Sequence, residues 1–102
     1  MGAVIVRYKV KADKAEENVA YIKKVFAELV ESSPAGLRYA SFQGADRLTF
    51  VHIASIETED GSNPLAKMAS FAAFQEKIKE RCDEPPAPMQ VSEVGAYRFL
   101  GG

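Results

Sequence analysis

The chain has 102 residues with no tryptophan, one cysteine and one histidine. A single cysteine forms no internal disulfide, so the fold must rest on its apolar core, and a reducing, cytoplasmic setting is expected. No apolar run approaches the ~20 residues that a membrane-spanning helix needs. The opening Met1-Gly2-Ala3-Val4 has no basic segment ahead of an apolar stretch, so no secretory signal is expected there. Charge of one sign is not in excess: thirteen Lys and Arg meet fourteen Asp and Glu, for a formal charge of −1. That balance argues against nucleic-acid binding through the phosphate backbone. No phosphate loop, zinc spacing or nucleophile elbow occurs. The acids Glu57, Glu59 and Asp60 lack the alternation of a calcium loop and read as a solvated turn, so no metal is expected.

What is present reads as one domain spanning residues 1–102. It is 47 % hydrophobic and 26 % charged, an ordinary globular balance. A chain of this length buries only about two thirds of its unfolded surface and gains from burial in a dimer.

Apolar periodicity orders the elements as strand, helix, strand, strand, helix, strand. Ala3 to Val10 alternates as a strand, with Val4, Val6, Tyr8 and Val10 on one side and Ala3, Ile5, Arg7 and Lys9 on the other. Asp13 reads as the N-cap of the first helix, with Glu16 completing a capping box. Val19, Ile22, Val25, Phe26 and Leu29 then recur at helical spacing until Ser32-Ser33-Pro34-Ala35-Gly36 ends the run. Leu37–Gln43 and Leu48–Ile56 read as a hairpin across Gly44-Ala45-Asp46-Arg47. A two- or four-residue loop there places Tyr39 opposite His52 and Ser41 opposite Phe50. Asn63 and Pro64 begin a second helix whose apolar stripe is Leu65, Met68, Phe71, Ala72, Phe74, Ile78 and Cys82. Asp83-Glu84-Pro85-Pro86-Ala87-Pro88 reads as an extended connection. Val91–Leu100 reads as the last strand, with Gly95 a bulge and Tyr97 and Arg98 on opposite faces. This order specifies a ferredoxin-like α+β domain, βαββαβ, with a four-stranded antiparallel sheet and both helices on one face.

Two helices cover only one side of a sheet. Val4, Val6, Val51 and Ile53 suit the dry, helix-covered side. Elimination then sends Ile5, Arg7, Phe50, His52 and Ala54 to the open side, with Tyr39 and Ser41 beside them. If two subunits pack sheet against sheet, Arg7, Tyr39 and His52 would lie in an enclosed cavity. His52 would be a base, Arg7 an anion binder and Tyr39 an oxyanion donor. The plainer alternatives are an interface histidine bonded to Tyr39, an Arg7 paired with a glutamate, and Phe71 and Phe74 as core rather than pocket lining. Cys82, near a helix C-terminus, is not expected to be a reactive thiolate.

The opening Val4-Ile5-Val6-Arg7-Tyr8-Lys9-Val10 and the stretch Ala69-Ser70-Phe71-Ala72-Ala73-Phe74-Gln75 carry a resemblance. With the element order and length, they make the chain similar to the antibiotic-biosynthesis-monooxygenase-like family of the dimeric α+β barrel superfamily. The resemblance implies a homodimer whose two sheets form a barrel. It also implies oxidation of quinol or polyketide-like substrates with molecular oxygen and no metal or flavin. Other members of the superfamily degrade haem or isomerise lactones. The chain lacks the tryptophan used by characterised polyketide oxygenases and by haem-degrading members. It also lacks the first-strand asparagine and second-helix histidine of haem degradation, which is therefore not expected.

The leading expectation is a cofactor-independent monooxygenase-like enzyme acting on a small molecule. Its catalytic residues would be His52, Arg7 and Tyr39, with Ser41, Phe50, Phe71 and Phe74 lining the pocket. The alternatives are a non-catalytic small-molecule binding or sensing protein and a structural dimerisation module.

Overall fold

A computed structural model describes residues 3–99. Strands β1 (Ala3–Val10), β2 (Leu37–Gln43), β3 (Thr49–Ile56) and β4 (Cys82–Val91) form one antiparallel sheet in the order β2-β3-β1-β4. Helices α1 (Ala15–Ser32), α2 (Ala69–Glu76) and the single turn α3 (Ile78–Arg81) complete the fold. The core joins Tyr8 and Val10 of β1, Phe50 of β3, Val25 of α1 and Phe74 of α2, so the helices lie on one face of the sheet. This is the ferredoxin-like α+β arrangement.

Helix α1 starts differently from its sequence reading. Ala12–Lys14 forms a 3-10 turn, Asp13 lies inside it, and no side chain caps α1. The helix ends where expected: Ser33 adopts φ +43° and its amide donates to Leu29 O at 2.8 Å. The second helical region is broken. Asn63 Oδ1 accepts from Leu65 N at 3.0 Å and starts a 3-10 turn over Pro64–Lys67, but Met68 is extended and α2 begins only at Ala69.

The hairpin register is two residues away from the expected one. Ser41 pairs with His52 and Tyr39 with Ala54. The Asp46 carboxylate accepts from the amides of Leu48 and Thr49 at 2.9 and 2.8 Å, and Arg47 turns to φ +67°. That geometry puts the four-residue loop at 45–48. An even slip keeps every side chain on its face.

Strand β4 corrects the reading at the C-terminal end. The proline-rich stretch is the strand itself, pairing Ile5 with Met89 and Val6 with Pro88, with register shifts between Arg7 and Val10. Because β4 is an edge strand, it tolerates missing amide donors. Cys82 is its first residue rather than part of the helical stripe. Residues 92–99 form no strand, Tyr97 is exposed, and Leu100 lies outside the described residues.

The faces are also reassigned. Val6 pairs with His52, Val4 with Ala54 and Tyr8 with Phe50, so these residues, with Tyr39 and Ser41, share the helix-covered side. Ile5, Arg7, Val51, Ile53, Phe42 and Met89 form the open side. On β3 the branched Val51 and Ile53 therefore line the open face, and Phe50 and His52 lie under the helices.

Candidate functional site: a buried histidine cluster

Every strand of the helix-covered face delivers polar groups toward His52 except β4. The imidazole is 5 % exposed. Its Nε2 lies 2.7 Å from Tyr8 Oη, and its Nδ1 lies 2.6 Å from Ser41 Oγ and 2.9 Å from Tyr39 Oη. Tyr8 and Tyr39 stack near-parallel on the imidazole at 5.3 and 5.9 Å, and Phe74 tilts against it at 5.4 Å. Phe26 of α1 stacks on Tyr39 at 5.3 Å.

The cluster continues inward. Asn18, fully buried on α1, donates from Nδ2 to Tyr8 Oη at 2.9 Å. Its Oδ1 accepts from Arg81 Nε at 3.2 Å. Arg81, on α3, is 2 % exposed and faces no carboxylate in its hydrogen bonds. It donates to Phe74 O at 2.6 Å and lies over the Tyr21 and Phe74 rings at 4.6 and 5.5 Å. A buried charge is costly unless bonded, and here a carbonyl, an amide and two ring faces satisfy it.

Electrostatics follow from the burial. Desolvation lowers the His52 pKa to about 4, so the ring is neutral at pH 7. Burial also raises Tyr8 and Tyr39, which remain phenols. Cys82 is raised by burial as well, as expected for an inert thiol.

The structure brings His52, Tyr39 and Ser41 together, with Phe74 against the ring and Phe50 stacked on Tyr8 at 5.6 Å. Phe71 touches Phe74, one shell further out. Arg7 is not part of this group. It lies on the opposite side of the sheet, half exposed, and pairs with Glu84 at 3.2 Å. The shared cavity on the open face is corrected accordingly: the polar residues meet inside the protomer. Tyr8, Asn18 and Arg81 were not singled out from the sequence. Asn18 did carry a signal, since it occupies the inward stripe at 18, 22, 25 and 29, where a lone amide needs a partner.

A surface groove of about 640 Å³ runs between α1 and the β2–β3 hairpin, lined by Glu16, Val19, Lys23, Gln43, Arg47 and Leu48, among others. Gln43 lies one strand period, about 7 Å, along β2 from Ser41 on the same face. Among the described residues, no three His, Cys, Asp or Glu are placed to hold a metal ion. No described helix is long and apolar enough to cross a membrane.

The class these features define is a ferredoxin-like α+β domain with a polar cluster between sheet and helices. No family model matches the chain, and no curated protein matches it. Solved structures do. A Nitrosomonas europaea protein named "putative antibiotic biosynthesis monooxygenase" superposes with TM-score 0.76 at 20 % identity, over 93 % of this chain and 100 % of that one. Rv0793 from Mycobacterium tuberculosis gives 0.74 at 16 % identity, over 93 % and 96 %. A conserved protein from Methanosarcina mazei Go1 gives 0.71 at 15 % identity, over 88 % and 89 %. The chain shares the ferredoxin-like fold of these structures. At these identities the likeness is one of fold.

Proposed function

We propose that the protein is a cofactor-independent monooxygenase acting on a quinol or polyketide-like aromatic substrate. The observation that carries this reading is the His52–Tyr39–Ser41 cluster, whose Ser41 lies two residues along β2 from Gln43 of the α1–hairpin groove. The fold shared with structures named antibiotic biosynthesis monooxygenase supports it.

In this reading the groove admits the aromatic rings, and the Tyr39 and Ser41 hydroxyls hold the substrate's ring oxygen. Hydrogen bonds to an ionised oxygen favour ionisation. The electron-rich anion then passes an electron to oxygen, and the resulting radical pair joins as a peroxide anion. Solvent returns the proton released on ionisation, and loss of water, which takes the remaining hydrogen of the oxygenated carbon, leaves a new carbonyl. One oxygen atom enters the product and the other leaves as water. His52, neutral and closed off at Nε2 by Tyr8, backs the two hydroxyls rather than storing a proton. The exposed apolar surface of Phe42 and Met89, with Ile5, Val51 and Ile53 between them, supports a homodimer joined through the open sheet face.

Oxygen uptake with an anthrone and a naphthohydroquinone tests the activity. His52→Asn is expected to lower kcat about tenfold or more while the protein stays folded. Unchanged turnover of a substrate that the wild type consumes overturns the assignment.

A second reading has its own support. His52 is almost fully enclosed and its polar neighbours are satisfied, which suits a binding or sensing protein without chemistry. Recovery of an unaltered organic molecule in native mass spectrometry would favour it.

A further inference from the structure

Arg81 is a donor-only group buried at the inner end of the cluster, and its position fixes the sense of every hydrogen bond beyond it. The Nε of Arg81 must meet an acceptor, so the Asn18 atom 3.2 Å away is Oδ1 and the amide nitrogen points to Tyr8. Tyr8 Oη therefore accepts from Asn18. Among the described residues its own hydrogen has one hydrogen-bond acceptor, His52 Nε2 at 2.7 Å. The opposite sense would leave a buried hydroxyl hydrogen unpaired, at a cost of about 1–3 kcal/mol. With Nε2 accepting, a neutral imidazole carries its hydrogen on Nδ1 and gives it to Ser41 and Tyr39.

We infer that Arg81 and Asn18 are positioning residues that hold His52 as the Nδ1–H tautomer, so that the Ser41 and Tyr39 hydroxyls keep their own hydrogens for an acceptor oxygen of a bound ligand. The ligand class follows from that polarity: an ionised phenol or enol, the state in which the proposed substrate reacts. The ligand part rests on the proposed function. The tautomer does not, because it is fixed without any ligand.

The near-isosteric substitution Asn18→Asp reverses the sense. A carboxylate at that position still accepts from Arg81, but it also accepts from the Tyr8 hydroxyl. The freed Tyr8 oxygen then takes a hydrogen from His52 Nε2, and Nδ1 becomes an acceptor that uses up one of the outer hydroxyl hydrogens. The chain has one histidine, so the imidazole nitrogen-15 spectrum contains a single ring.

At pH 7 the wild-type spectrum is expected to show a protonated Nδ1 and a bare Nε2, and Asn18→Asp the exchanged pair. A wild-type Nε2–H, or a folded Asn18→Asp variant with the wild-type tautomer, overturns the positioning role. If Asn18→Asp does not fold, Tyr8→Phe serves instead: the Nε2 resonance is expected to move toward that of an unbonded lone pair. No movement overturns the proposal. The ligand half is read with 4-nitrophenolate. Loss of one hydrogen bond to a charged oxygen predicts about tenfold weaker binding to Asn18→Asp than to wild type. Equal affinity overturns the ligand half. Because the tautomer needs no substrate, its failure is distinguishable from failure of the oxygenase assignment.

Discussion

Tyr8 and His52 lie ring against ring, 5.3 Å between centroids and 9° from parallel, with Tyr8 Oη on Nε2. The stack shields the imidazole from water without supplying a negative charge, and burial alone sets its pKa.

The first prediction concerns acid. The His52 pKa falls from 6.5 to about 4 on folding. Between those values the unfolded chain binds a proton that the folded one refuses, so stability rises with pH across that window and is lost as pH falls from 6.5 toward 4. The contribution is on the order of 3 kcal/mol. Urea denaturation at pH 7.5 and pH 4.5 is expected to show this loss in the wild type and a much smaller one in His52→Gln. Parallel slopes in the two proteins would show that the imidazole is not the cause.

Arg81→Met removes the donor to Phe74 O and Asn18 Oδ1. Two buried acceptors are left unpaired, while the methionine still fills the space beside Tyr21. A loss of about 2–4 kcal/mol is expected. Thermal denaturation with a matched Arg7→Met control checks it.

Gly36 follows α1 with φ +77°, and a Cβ there would lie 2.8 Å from the Thr58 side chain and 2.9 Å from its amide nitrogen. Gly36→Ala therefore meets both a disfavoured backbone and a backbone neighbour, and is expected to cost about 1–3 kcal/mol. Gly61→Ala has a similar φ of +76° but open space around it, and should cost less. Chemical denaturation of the pair separates the two effects.

Arg7 and Glu84 form an exposed pair worth about 0–1 kcal/mol. Arg7→Ala is expected to leave oxygen uptake within about twofold of wild type and the melting temperature nearly unchanged. A large fall in kcat would require Arg7 to reach a site through the assembled dimer.

Ile53→Asp places a carboxylate in the middle of the open apolar face without touching the His52 side. Light scattering after gel filtration is expected to show a dimer for wild type and a monomer for this variant. An unchanged dimer would exclude this face as the contact.

The helix periodicity and the strand alternation were legible because each depends on residues a few positions apart. Which face of β3 matches which face of β1 was not, because long connections separate those strands and the parity of their pairing leaves no local mark. Val51 and Ile53 suggested a dry interior, yet Val6 opposite His52 puts them outside. Strand β4 was hidden by Pro85, Pro86 and Pro88, residues that usually exclude a strand but are compatible with an edge. Among the cluster's members, His52, Tyr39 and Ser41 share neighbouring strands and could be grouped from the sequence. Arg81 reaches the cluster only through α3 packing 63 residues from Asn18, a relationship no periodicity encodes.

The prolines of β4 have a consequence for how copies of the chain can associate. An outer strand interrupted at residues 85, 86 and 88 is a poor template for another strand, so the sheet can extend only at β2. Two copies joined β2 to β2 would use the same edge on both sides and close on themselves, whereas a filament would need the β4 edge as its second, unlike contact. The composition of one margin thus favours finite assemblies over fibres.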